Sequence, residues 1–196
     1  MAGGATKVST IVAKGLFAIV LVMYPLLVWQ GLQNGTPRTI AAVLLCVMLP
    51  VAAMRMQKSQ RAGLRGLSFV PLITVAALLS SAVLDRAGFL LFVPALINGL
   101  FLAVFGSSLR AGSMPAVERF ARLQEETLSA EQVAWCRLWT IVWCVFFVAN
   151  GTTSIVLAVA GPMSWWATYN GLVAYVLMGM LFAIEWTMRR RRFSRG

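Results

Sequence analysis

The chain has 196 residues, of which 60% are hydrophobic and 12% charged, and its formal net charge is +11. A water-soluble domain carries about 25% charged residues, and a chain of this length could not hide so much apolar surface from water. The composition excludes an ordinary soluble domain, and the absence of histidine excludes a Ser-His-Asp triad.

Uncharged, mostly apolar runs recur at the length that crosses a ~30 Å hydrocarbon core as a helix. The alternation of period two that is typical of outer-membrane barrel strands does not occur. We therefore predict an all-α membrane protein, a bundle of six transmembrane helices forming a single domain over residues 1–196. The predicted spans are about 15–31, 39–54, 67–84, 88–109, 134–160 and 166–188.

Basic residues give the predicted orientation, because cytoplasmic loops of membrane proteins carry an excess of Lys and Arg. With six spans and an internal N-terminus, all 17 lysines and arginines except Arg38 and Arg86 fall on one side. The first apolar run lacks a small-residue cleavage site after it, so we expect it to remain as the first span. The protein is thus expected in a bacterial inner membrane with both termini cytoplasmic. Its basic tail, residues 189–196, is expected to lie against anionic lipid, and no nucleic-acid partner is expected.

One charged insert, residues 114–132, interrupts the apolar pattern between the fourth and fifth spans. Pro115 is suited to open a short amphipathic helix, and Ser129 with Gln132 has the spacing of a capping box that starts the next helix. We expect Val117, Phe120 and Ala121 to face the bundle or the lipid. The side chains expected to face water are Glu118, Arg122, Glu125 and Glu126, with opposite charges paired at i,i+4. Two interpretations stay open: an elbow that orients the fifth span, or a docking surface for a cytosolic partner made of Glu118, Arg119, Arg122 and Glu125.

Polar residues inside predicted spans are candidates for a functional site. Asn98, Asn150 and Asn170 lie in the fourth, fifth and sixth spans, and each is followed by glycine. The amides could bridge closely packed helices or line a path for a polar substrate. Nearby, a stripe at helical spacing is expected to pack in the core or to form a groove for a lipid or polyene; it consists of Trp135, Trp139, Trp143, Phe147 and Asn150. Glu185 is expected to pair with Arg189.

Three segments carry a family resemblance. They are ERFARLQ (residues 118–124), W-x-x-x-W-x-x-FF-x-x-NG (residues 139–151) and YNGLVAYVLMGMLFAIEW (residues 169–186). They resemble uncharacterised multi-pass proteins of bacterial aryl-polyene or xanthomonadin-type gene clusters. More distantly, the chain is similar to the intracellular septation protein A (YciB) family, although Ser154 and the Tyr169-Asn170 pair depart from that family's usual Asn and aromatic-Lys pair. The resemblance implies a role in envelope synthesis through contacts with other membrane proteins, without established catalysis.

Two functions follow as hypotheses. The first is a non-enzymatic inner-membrane protein that supports cell-envelope or lipid-linked biosynthesis, with membrane or envelope-biosynthesis proteins as partners. The second is a small carrier or flippase for an acyl or polyene lipid that uses the asparagine-bearing faces of the last three spans. With three cysteines, no histidine and no C-x-x-C pattern, we expect no catalytic residues, cofactor or metal site.

Overall fold

The computed structural model describes residues 23–46, 49, 69–123, 125 and 127–193, with only the backbone for residues 69–73. All regular secondary structure in these ranges is helical, which confirms the predicted all-α class. The helices are 23–34 (α1), Pro37–Cys46 (α2), Phe69–Leu84 (α3), Gly88–Leu91 (α4), Val93–Ser108 (α5), Ala116–Ala121 (α6), Ala130–Ala160 (α7), Met163–Thr168 (α8) and Ala174–Phe193 (α9). A π-helical turn, Tyr169–Val173, joins α8 to α9 without a break.

The predicted bounds of the last three spans agree with the observed helices to within a few residues. Within the described ranges, two helices are long and apolar enough to cross a membrane, judged by length and composition: Ala130–Ala160 and Met163–Phe193. The apolar helices α2, α3 and α5 are shorter there, so six membrane-spanning helices are not confirmed. The start of the first predicted span, most of the second beyond residue 46, the basic loop after it, Gln124, Glu126 and the last three residues lie outside the described residues.

The helix turns lie at two ends of the molecule. At the first end, the backbone N–H of Arg38 donates to Asp85 Oδ1 at 2.9 Å, so the start of α2 lies beside the end of α3. The Arg38 guanidinium donates back to the carbonyl of Ala82 through Nε at 2.9 Å. This exchange caps both helix ends, because first-turn N–H groups and last-turn carbonyls have no partner within a helix. Asp85 adopts a positive φ of 51°, which lets the chain turn directly after α3.

The second end carries the insert and the end of α9. Arg192 Nη2 lies 2.8 Å from Glu131 Oε1, which places the last turn of α9 beside the first turn of α7. Arg137 Nη2 donates to the carbonyl of Leu109 at 2.9 Å, which fixes α7 against the end of α5. We call this the basic end of the molecule, because four consecutive arginines, residues 189–192, lie there.

Pro94 produces a break between α4 and α5 at Phe92. It has no N–H to donate to the carbonyl of Leu90, four residues earlier. The Tyr24 hydroxyl donates to that carbonyl at 2.8 Å, and Trp166 Nε1 donates to the neighbouring Leu91 carbonyl at 3.1 Å. Both donor side chains are buried, so the bonds that α1 and α8 make at this break also join those helices to the core.

Candidate functional site

The three predicted asparagines all lie buried in the interior, and two of them contact each other directly. Asn150 Nδ2 on α7 donates to Asn98 Oδ1 on α5 at 3.0 Å. The Tyr169 hydroxyl donates to Asn150 Oδ1 at 2.8 Å. The Asn150 amide is therefore bonded both to α5 and to the π-helical turn. The interhelical hydrogen bond expected of these amides is therefore present between Asn98 and Asn150.

Asn170 joins the same region through Ser154 rather than through another asparagine. Ser154 Oγ lies 2.7 Å from Asn170 Oδ1 and 2.9 Å from the carbonyl of Asn150, and its single proton serves one acceptor at a time. Asn170 Nδ2 donates to the carbonyl of Trp166 at 2.9 Å, and Asn98 Nδ2 donates to that of Pro94 at 2.8 Å. Every side-chain oxygen and nitrogen of the three amides thus has a protein partner.

These bonds to the protein decide what the site can do. A buried polar group that already has its partner gains little from a ligand, whereas an unpaired one is costly. Among the described residues, the buried side-chain atoms without a partner are Trp135 Nε1, Trp139 Nε1 and Glu185 Oε1, and none of them belongs to the asparagine cluster. The cluster has the chemistry of a link between helices, and its members include no carboxylate or amine that could act as a general base toward the Ser154 hydroxyl.

The three Asn-Gly pairs are not equivalent. A Cβ added to Gly151 would lie 3.1 Å from Asn98 Cβ, so any larger residue would press on Asn98 where α7 crosses α5. A Cβ at Gly171 would make an ordinary 3.5 Å contact with Leu26, and at Gly99 it would meet nothing within 4 Å among the described residues. Of these three glycines, Gly151 is the one that confirms the expectation that small residues permit close approach of helices.

The aromatic stripe on α7 is buried along its whole length. Phe147 stacks on Phe101 of α5 with ring centroids 5.2 Å apart, and it meets Phe105 edge-on at the same distance. Trp143 packs against Phe182 of α9 with centroids 4.6 Å apart. Trp143 and Phe147 are thus covered by rings from both neighbouring helices, which fits the packing interpretation of the stripe.

The insert differs from its prediction in the length of its helix and in which of its side chains are exposed. Its helix, α6, covers only six residues, and Glu118, which we expected in water, is 4% exposed and bonded to Arg122 at 2.7 Å. Phe120, expected to face the bundle or lipid, is 41% exposed, and Leu123 is 79% exposed. The assignment of Glu118 to the water-facing side was wrong, because so short a helix has too few residues for its apolar pattern to define one face.

Hydrogen bonds from the preceding and following helices explain this orientation. Ser108 Oγ and Thr140 Oγ1 accept from the first two N–H groups of α6, those of Ala116 at 2.9 Å and Val117 at 3.2 Å. These bonds fix the start of α6 to both α5 and α7. The predicted Glu118–Arg122 pair and the Ser129–Gln132 capping box are confirmed, and Arg119 and Glu125 remain accessible for a partner.

Glu185 does not form the salt bridge with Arg189 that we expected. The ion pairs within 4.0 Å among the described residues are Glu118–Arg122 and Glu131–Arg192. Arg189 acts on Glu185 only at longer range, and Trp135 of α7 is the side chain that approaches the carboxylate. The described residues also contain no group of three or more His, Cys, Asp and Glu side chains placed to hold a metal ion.

Sequence reasoning missed four contributors to the interior: Tyr24, Ser154, Trp166 and Tyr169. Ser154 lies four residues after Asn150, so the two share a helix face, and this spacing was the one available signal. The other three act through contacts with distant parts of the chain, for which no local pattern exists.

Comparison with known proteins finds no matching family model, no matching curated protein and no matching solved structure.

Proposed function

We propose that this protein is a non-enzymatic bundle of six transmembrane helices in a bacterial inner membrane that supports cell-envelope or lipid-linked biosynthesis by binding other membrane proteins. The observation that carries the proposal is that every side-chain oxygen and nitrogen of Asn98, Asn150 and Asn170 has a protein partner. A carrier needs polar groups that can exchange protein partners for a substrate near the middle of the bilayer. A protein that organises others can be packed solid.

The proposed partner surface is the exposed part of the insert. The half-buried Arg119 and the exposed Glu125 provide opposite charges there, and Phe120 and Leu123 provide apolar area beside them. Charged residues at the rim of an interface mainly affect association rate and specificity. Apolar side chains that become buried contribute most of the affinity.

Co-purification after crosslinking in intact cells tests this surface. Leu123→Ser and Phe120→Ser, singly and together, should reduce recovery of envelope-biosynthesis proteins while leaving the abundance of the bundle unchanged. A Leu79→Ser variant is the matched control, because Leu79 is also an exposed apolar residue but lies on α3, away from the insert. Unchanged partners in the double variant would argue against docking at the insert.

A carrier for an acyl or polyene lipid is the second candidate, and the π-helical turn favours it. Single π-helical turns within α-helices occur frequently at functional sites, and Asn170 lies in this one. In a background without native cysteines, Ser154→Cys tests access to the interior with a water-soluble maleimide. We expect no labelling at position 154 and full labelling of the exposed control Ser113→Cys; labelling of both would favour the carrier.

A further inference from the structure

The end of α9 and the insert meet on adjacent sides of one helical turn, the first turn of α7. Glu131 of that turn pairs with Arg192 of α9 at 2.8 Å. The next residue, Gln132, donates through Nε2 to Glu125 Oε2 of the insert at 3.3 Å. Neighbouring residues of a helix point about 100° apart, so the insert and the arginine run lie next to each other around this turn. We call the surface that they form the tip, and it consists of Phe120, Leu123, Glu125 and residues 189–193.

The tip projects beyond the end of α5. Arg137 Nη2 donates to the Leu109 carbonyl at 2.9 Å, so Arg137 marks the level at which the fourth predicted span, 88–109, ends. Glu131 precedes Arg137 by six residues, which is about 9 Å along the axis of α7. The headgroup layer of one leaflet is only about 5–7 Å thick. In the proposed membrane placement, the tip therefore reaches past the headgroups into the cytosol.

The arginine run at the tip is supported by the fold. α9 continues as a helix through Phe193, so residues 189–192 do not turn back along the membrane. The Phe193 ring meets Trp135 of α7 edge-on with ring centroids 6.0 Å apart. Arg190 lies over the Trp186 ring at 4.4 Å from its centroid. The guanidinium groups are thus presented on an ordered helix that points away from the bilayer.

The charge at this end of the molecule is unbalanced. Residues 110–137 and 185–193 contain eight arginines and five glutamates. Two of these arginines, Arg122 and Arg192, are paired with Glu118 and Glu131. Six arginines and three glutamates are left, so the surplus charge is positive. A negatively charged partner surface is complementary to it, and such complementarity raises the association rate and the specificity.

Apolar side chains stand beside these charges. Leu123 is 79% exposed, and Phe120 is exposed as well. The hydrogen bond of Glu125 to Gln132 lies two residues after Leu123, so it keeps this leucine near the level of the tip and outside the hydrocarbon core. An amphipathic helix that docks on such a surface covers the apolar side chains with one face and meets the charges with its edges.

We infer that the tip binds an acidic amphipathic helix of a partner protein. Its apolar face covers Leu123 and Phe120, and its carboxylates face the arginines of α9. This inference rests on the membrane placement and the partner-binding role proposed above, and it adds the chemistry of the partner.

Binding of synthetic peptides to the full chain tests the inference. The protein is reconstituted in phosphatidylcholine nanodiscs, and the probe is a fluorescent amphipathic helix of about 20 residues with leucines on one face and glutamates beside them. The comparison peptide has glutamine in place of every glutamate. Fluorescence anisotropy should show about tenfold tighter binding of the acidic peptide, the effect of two or three exposed charge pairs. The ratio should fall as added salt screens the charges.

Variants at exposed positions locate the binding. Arg190→Gln combined with Arg191→Gln should weaken binding of the acidic peptide about threefold to tenfold. Leu123→Ser should weaken both peptides, because both carry the same leucines. Arg86→Gln is the matched control, since Arg86 is exposed but lies at the first end, and it should change neither affinity. If a variant fails to fold, the comparison of the two peptides on the unmodified chain still decides the question.

Three results would overturn the inference. Equal affinity for the two peptides would mean that the tip does not recognise charge. Unchanged affinities in the arginine and the leucine variants would place the binding elsewhere. The third concerns a spin label at Arg191→Cys in a background without native cysteines. Loss of its access to a neutral water-soluble relaxant when phosphatidylglycerol is added would mean that the arginine run lies on anionic lipid.

Failure of the proposed function looks different from these results. Crosslinking in cells would then recover no envelope-biosynthesis protein, although the acidic peptide would still bind the tip selectively.

Discussion

Asn150 is the residue on which the polar interior depends most. Its amide donates to Asn98 and accepts from Tyr169, so one side chain connects α7 with α5 and with the π-helical turn. Interhelical hydrogen bonds inside membranes average only ~0.6 kcal/mol each. Removal of a shared partner is more costly than that average, because Asn98 Oδ1 would lose its donor while still buried.

Asn150→Leu is therefore expected to destabilise the protein by about 1–2 kcal/mol. The measurement is the midpoint of reversible unfolding in mixed micelles. Ser154 is unsuitable as a control, because it is fully buried and bonded to Asn170. Thr153→Val is the better control, since within the described ranges the Thr153 hydroxyl bonds the Ala149 carbonyl of its own helix, at 2.9 Å, and no other helix. Equal midpoints for both variants would contradict the bridging role.

Two glycine-to-alanine variants provide a second test of stability. Alanine is favoured over glycine inside a helix by about 1 kcal/mol, while overpacking a tight contact costs about 1–3 kcal/mol. Gly151→Ala must move Asn98, whose Cβ would lie 3.1 Å away, so we expect a net loss of stability. Gly179→Ala meets nothing within 4 Å among the described residues and should be neutral or stabilising. The same unfolding assay compares them, and a gain for both variants would mean that α5 and α7 adjust freely.

The insert shows which features of a helix can be predicted from residues that are close in the sequence. Ser129 and Gln132 predicted their own capping box correctly, because a cap depends on residues three apart in one chain segment. Ala130–Ala160 was likewise predictable as a long apolar run. The orientation of α6 was not, because it depends on Ser108 and Thr140 in other helices. The same holds for the asparagine cluster: its members were identifiable, but their pairing arises only when α5, α7 and the π-helical turn pack.

Exchange of charges between Glu118 and Arg122 tests the orientation of α6. The exchange keeps their i,i+4 attraction, which on an exposed helix would change stability by only a few tenths of a kcal/mol. Here it forces an arginine into the buried position of Glu118, so we expect a loss of about 1–3 kcal/mol and reduced abundance in the membrane fraction. Glu125→Arg, at an exposed position of the same segment, should have normal abundance. Normal abundance of the exchange variant would mean that α6 turns its charges outward.

For the whole molecule, the contacts between helix ends agree with alternating helices. Arg38 and Asp85 meet at one end, and Glu131 and Arg192 meet at the other. In the described part of the chain, Arg38 and Arg86 lie at the first end. Most of the other arginines lie towards the basic end. This unequal distribution is what the positive-inside rule requires of an inner-membrane protein with a cytoplasmic basic end.

Reporter fusions test the membrane topology. Fusions at Lys58, Glu125 and Gly196 should report the cytoplasm, and a fusion at Gly35 should report the periplasm, because charge asymmetry sets the orientation. Alkaline phosphatase and a fluorescent protein, active on opposite sides, serve as paired reporters at every position. A periplasmic signal at Glu125 would contradict the six-helix arrangement.

The π-helical turn, Tyr169–Val173, takes up one extra residue within a single wider turn of the last helix. Its hydrogen bonds run from residue i to residue i+5, so its five residues rotate the chain about as far as four residues of an α-helix, at about 100° each. Later side chains therefore keep their rotational phase, and Asn170 can face Ser154 while Arg192 meets Glu131 at the far end. Deletion of the exposed Leu172 would return this stretch to an α-helix, so it should change the backbone around Asn170 and leave the basic end in place.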